Sequence, residues 1–145
     1  MIQKISNLRN TIDRLLQNLE TKVEPGVKIT ASLCKCGIDL GKAIKESIEL
    51  QGLEPSLGSF MTNYGHTPSY HGKTCITQCG IDKYRIVHCP VAEYCPDSKN
   101  IQLGNMLCQL DHAILHGFDP DLEAKVASSM KFGSSSYWFE SEITV

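Results

Sequence analysis

Between Ser98 and His116 the chain reads SKNIQLGNMLCQLDHAILH. Ile101, Leu107, Leu110, Ile114 and Leu115 recur at three- and four-residue spacing, which predicts a helix with one buried side. Ser98 suits its N-cap and Gly117 its C-cap, with Pro120 close behind. What flanks this helix decides the fold. Before it, Thr74 to Gln78 and Tyr84 to His88 read as two strands, with a turn near Gly80 to Lys83. In the second of them Tyr84, Ile86 and His88 alternate with Arg85 and Val87. Cys89-Pro90 closes that strand, because proline cannot donate to a ladder. After the helix, Leu122 to Phe132 and Tyr137 to Val145 read as a closing hairpin around Gly133-Ser134-Ser135.

The N-terminal third reads as helical. Ile2, Ile5, Leu8, Ile12, Leu15, Leu16 and Leu19 mark one face of an amphipathic helix that ends before Pro25-Gly26. Lys4, Arg9, Asp13, Arg14, Gln17 and Glu20 fill its other face. Such a stripe serves core packing, or pairs with a second copy as a dimer seam. A second helix spans Thr30 to Leu50, with Leu33, Leu40, Ile44 and Ile48 as its buried stripe and Lys42, Lys45, Glu46 and Glu49 on its wet side. Gly37 and Gly41 each weaken it by about 1 kcal/mol against alanine, so close packing against a neighbour accounts for them. Cys34 and Cys36, two apart, fall on different faces of that helix and read as packing residues. Leu57 to Met61 reads as a short strand. Asn63 to Gly72 reads as a loop rich in turn formers and polar aromatics, of the kind that lines binding sites. Helices, then strands, a helix and more strands predict one α+β domain with a mainly antiparallel sheet. Residues 1–24 are expected to form an N-terminal amphipathic helix, a candidate dimer element for a homodimer, and residues 30–145 the core.

Composition narrows the function. The chain has 145 residues, enough to bury a core without disulfides, and a net charge of −2, which does not suit nucleic acid or an anionic membrane. No apolar run approaches the roughly 20 residues that span a bilayer. The N-terminus lacks a signal-peptide apolar segment. The expectation is a cytosolic protein with reduced thiols. Its seven cysteines are an odd number, which favours metal binding, catalysis or burial over a disulfide framework.

From His88 to His112 the chain gathers Cys89, Cys95, Cys108, Asp111 and both histidines. Cys108, Asp111 and His112 stand at i, i+3 and i+4, which predicts one shared helix face. A thiol, a carboxylate and an imidazole at that spacing can act as a nucleophile with its base, or as metal ligands.

The order Ile86-Val87-His88-Cys89-Pro90, Leu107-Cys108-Gln109-Leu110-Asp111, Gly117-Phe118-Asp119-Pro120, then Gly133 with Phe139, resembles the L-2-amino-thiazoline-4-carboxylic acid hydrolase family. Leu40-Gly41-Lys42-Ala43 fits the family's second-helix region. The resemblance covers roughly residues 30 to 143. It implies hydrolytic opening of a C–N bond in a small cyclic, thiazoline-like or amidine-like substrate. Cys89, Cys108 and Asp111 match the family's recurring Cys-Pro and Cys-x-x-Asp elements. One segment departs. The family's ending tends to read Gly-Asp-x-x-Cys-x-Phe, whereas Gly133 to Phe139 here carries neither that acid nor that cysteine. The family is also distantly similar to 4-vinyl-reductase-like ligand-sensing domains, some of which hold zinc partly through cysteines of the last hairpin. This chain has Ser129 and Tyr137 there.

The chemistry needs a nucleophile, a proton donor for the leaving nitrogen, and support for the tetrahedral adduct. Cys108 is the nucleophile of this reading, Asp111 the base or orienting acid, and His112 or His88 the proton shuttle. Cys89 completes the catalytic set. Tyr64, His71 and Arg85 are the substrate-binding candidates, Arg85 or Lys73 answering a substrate carboxylate. No cofactor is required. Two other readings stand beside this one. Cys89, Cys95, Cys108 and His112 form a ligand set that zinc accepts, although the spacing matches no zinc-finger pattern. An iron–sulfur cluster draws on the same thiols. Alternatively, the aromatic and histidine-rich residues line a small-molecule pocket without turnover.

Overall fold

The computed structural model describes residues 2–21, 27–64, 73–81, 83–89, 98–120, 125–132 and 137–144. Helices α1 (Ile2–Thr21), α2 (Val27–Leu50) and α3 (Leu57–Tyr64) come first. Strands β1 (Lys73–Gly80) and β2 (Lys83–Cys89) follow, then α4 (Ser98–Phe118), β3 (Lys125–Phe132) and β4 (Tyr137–Thr144). The fold is α+β, with helices packed on a four-stranded antiparallel sheet of order β1-β2-β4-β3. Each hairpin supplies one central strand. Helix α4 connects the two hairpins, and β2 and β4 pair in the middle, so the two hairpins join into one sheet.

Register sorts the strands into two faces. Ile86 stands opposite Ser141, and Tyr84 opposite Ile143, which stands in turn opposite Val126. Ile86, Ser141 and Ile143 are buried, and Tyr84 and Val126 pack against the core. The alternate phase is wet: Arg85 opposes Glu142 and pairs with it at 3.5 Å, both side chains being well exposed. This is the half-solvated pattern of an antiparallel sheet.

The core is helical on the other side. Leu33, Leu40, Ile44 and Ile48 of α2 are buried, as are Leu110, Ile114, Leu115 and Phe118 of α4. Close approach of the two backbones holds these helices together. A methyl group at Gly41 would meet the carbonyl oxygen of Ile114 and come within 2.6 Å of the Phe118 nitrogen. A methyl at Gly117 would meet the Ile38 carbonyl and come within 2.7 Å of its carbon. Gly37 faces Leu110 Cδ1 in the same crossing, 2.9 Å from where its Cβ would stand. Gly117 is therefore a packing residue inside α4, which continues to Phe118, rather than the C-cap expected from its position before Phe-Asp-Pro.

Helix α1 lays part of its apolar stripe on this unit. Ile12 is buried, and Ile5, Leu8 and Leu15 pack against the core. Arg9 and Asp13, expected on the wet face, are only half exposed, and Arg9 Nη2 donates to the Asn63 carbonyl at the end of α3.

The segment 57–61, expected as a strand, is the start of α3. Leu57, Phe60 and Met61 stand at i, i+3 and i+4, and all three are buried. The Ser56 hydroxyl accepts from the Ser59 amide at 3.1 Å, and the Ser59 hydroxyl accepts from the Ser56 amide at 2.8 Å. This reciprocal pair has the logic of a capping box. Phe60 then packs on Phe118 with ring centroids 4.8 Å apart, which ties α3 to α4. Among the described residues, no helix is long and apolar enough to cross a membrane.

Candidate functional site

Asp111 and Ser141 are the two buried polar residues among those described, 2% and 0% exposed. Asp111 comes from the C-terminal half of α4, in an apolar stretch with Leu110, Ala113, Ile114 and Leu115 around it in sequence. Ser141 comes from β4, at the register position opposite Ile86 and Ser128. The Ser141 hydroxyl donates to Asp111 Oδ2 at 3.2 Å. A carboxylate withdrawn from water carries a large penalty unless hydrogen bonds answer its charge. The serine answers part of it, and the bond joins the linking helix to a central strand.

The expected single face of Cys108, Asp111 and His112 resolves into two sides. Asp111 is buried and His112 is exposed. Successive residues turn by about 100° on a helix, so the carboxylate enters the core and the next imidazole leaves it. On the helical wheel position 108 lies between these two directions. His116, one turn on, is also exposed.

The remaining candidates divide as follows. His88 sits near the end of β2, opposite Thr74 and Phe139, in the strand phase of Ile86. Cys89 follows in the phase of Arg85, opposite Lys73. The side chains of Tyr64, His88, Cys89 and Cys108 lie outside the described residues, as do His71 and Cys95 altogether. Arg85, expected as a cation for the substrate, engages Glu142 on the exposed face of the sheet, whereas Asp111 and Ser141 are within the core. The structure does not bring Arg85 to Asp111. Among the described residues, no three His, Cys, Asp or Glu side chains gather as a metal site. Cys34 and Cys36 are half-buried free thiols, and Cys79 is exposed near the β1–β2 turn. Burial pushes the Cys36 thiol above its ordinary pKa, and Asp39 acts in the same direction.

Ser141 is the polar partner that sequence reasoning misses. A signal for it exists: in β4 a serine falls in the same alternate phase as Ile143, where an apolar residue is expected. Its meaning depends on the pairing of β4 with β2, which no local pattern specifies.

No family model matches the chain, and no curated protein matches it in sequence. The resemblance to the thiazoline hydrolases thus rests on the order and spacing of its own motifs.

Proposed function

We propose that this protein is a hydrolase that opens a C–N bond of a small thiazoline-like or amidine-like ring. In this reading the Cys108 thiolate attacks the amidine-like carbon, the C–N bond of the adduct breaks, and the leaving nitrogen takes a proton from His112 or His88. Water then releases the product and restores the thiol. The observation that carries the reading is the Asp111 carboxylate, buried one helical turn after Cys108 and gripped by Ser141. Neighbours at i and i+3 lie about 5–6 Å apart at Cβ. Its burial favours the role of orienting acid over that of a base in contact with substrate.

That same burial supports a second reading, in which the Asp111–Ser141 bond is architectural and the chain is a binding module without turnover. One experiment separates them. The wild type, Cys108→Ser and Asp111→Asn are incubated with 2-amino-thiazoline-4-carboxylate, and mass spectrometry follows gain of one water. Turnover lost in both variants, with unchanged far-UV circular dichroism, supports the hydrolase. Ligand binding without turnover that survives Cys108→Ser supports the module.

A further inference from the structure

Along the solvent edge of the α1–α2 contact lies a groove of ≈ 730 Å³, within the size range of small-molecule sites. Gln3 and Leu8 contribute to its walls, and the other lining residues share one spacing: Lys4, Asn7 and Thr11 on α1, and Asp39, Lys42 and Glu46 on α2. Both sets are i, i+3 and i+7, a single ridge of a helix. The relative direction of the helices follows from chain reach. Six peptide units join Thr21 to Val27 and span at most about 20 Å. Helix α1 is about 30 Å long. Since the two helices pack together, α2 runs back along α1. The lining residues therefore run in opposite orders along the groove, Lys4, Asn7 and Thr11 on α1 beside Glu46, Lys42 and Asp39 on α2.

The hydrogen bonds already made fix what this groove offers. Gln3 Nε2 donates to Asn7 Oδ1 at 2.9 Å, which leaves the Asn7 amide protons to donate. Thr11 Oγ1 donates to the Asn7 carbonyl at 2.9 Å, which leaves its lone pairs to accept. Among the described residues no ion pair joins Lys4, Lys42, Asp39 or Glu46 to a partner. The middle of the groove thus presents donors, Asn7 with the Lys42 ammonium. One end presents acceptors, Thr11 with the Asp39 carboxylate. The other end holds one cation, Lys4, and one anion, Glu46, and is neutral in sum.

We propose that this groove binds a small dipolar ion, its carboxylate at Asn7 and Lys42 and its ammonium at Thr11 and Asp39. The axial offset between the two groups is about 4.5 Å along α2 and about 6 Å along α1. An ω-amino acid with a three-carbon spacer matches that separation better than an α-amino acid. The site is independent of Asp111 and Cys108. Its charges are screened by salt, so binding is weak, with Kd on the order of 1 mM, and weakens as salt is raised.

The test is a ¹⁵N–¹H NMR titration of the full chain with 4-aminobutyrate, butyrate and butylammonium. The expected result is saturable shifts confined to residues 3–11 and 39–46 with 4-aminobutyrate alone. Lys42→Gln and Asp39→Asn, both on the helix surface, are each expected to weaken binding at least fivefold without changing the remaining spectrum. An equal response to butyrate or butylammonium would reduce the site to a single-ion contact and overturn the proposal. Absence of saturable shifts, or affinity that survives both substitutions, would overturn it as well.

Discussion

Helix α2 meets α4 through glycine and meets α1 along a contact whose solvent edge opens into a groove, and the two contacts divide the molecule. Toward α4, Gly41 and Gly117 bring backbone onto backbone with no room for a methyl group. Toward α1, the same helix leaves at its solvent edge a groove lined by charged and amide side chains together with Leu8 and Thr11. Packing energy depends on contact at van der Waals distance, so the first interface is intolerant of added volume. The second exposes long side chains that move at small cost. With α2 fixed against it in this way, α4 holds a carboxylate in a set position toward the sheet, where Asp111 meets Ser141 of β4. The α1–α2 side suits weak, exchangeable contacts.

The largest expected effect tests the closed side. Gly41→Ala or Gly117→Ala should cost about 3 kcal/mol or more, because the obstruction is backbone and cannot rotate away. Urea denaturation of each variant measures this, and a loss under about 1 kcal/mol would show that the helices separate readily. Next, removing the hydroxyl in Ser141→Ala should cost about 1–3 kcal/mol, since it strips a donor from a buried carboxylate. Replacing both partners, Ser141→Ala with Asp111→Leu, should cost less than the sum of the two single changes. A double-mutant cycle reads that coupling.

Smaller effects belong to the wet parts. Burial raises the Asp13 carboxyl above its ordinary pKa, and its Oδ1 is buried without a partner. The folded state therefore binds this proton more tightly than the unfolded chain does. Stability falls as pH rises from the ordinary carboxylate range through the raised value, and the loss persists at neutral pH. Asp13→Asn should raise Tm at pH 7 and leave it unchanged at a pH below both values. The smallest effect is expected at the outer face of the sheet. Arg85→Gln should change stability by less than about 0.5 kcal/mol, as its ion pair with Glu142 is exposed.

Hydrophobic periodicity makes most of this architecture legible in the sequence. The stripe of α2 and the alternation of β2 are both reproduced, and the closing hairpin is in place. The misreadings share a physical cause. Leu57 to Met61 is too short for period to separate strand from helix, and the Ser56–Ser59 cap that settles it begins just outside the apolar run. Gly117 resembles a stop because Phe-Asp-Pro follows, yet its missing side chain serves the crossing with α2. In the candidate site, the helical spacing of Asp111 and His112 is readable. Which of them faces inward is not, because their surroundings come from α2 and β4, distant in sequence.

We propose that Asp111, buried on α4, serves a reactive thiol at Cys108. The most direct measurement is hydrolysis of 2-amino-thiazoline-4-carboxylate by the wild type and by Asp111→Asn, with Cys108 alkylation by iodoacetamide followed in both. The wild type is expected to turn over, and selective alkylation of Cys108 to stop it. In Asp111→Asn turnover should fall at least tenfold, with the fold intact, while Cys108 stays open to alkylation. Undiminished turnover in Asp111→Asn, or no water added to the substrate by the wild type, would contradict it and leave Asp111 a structural bridge between helix and sheet.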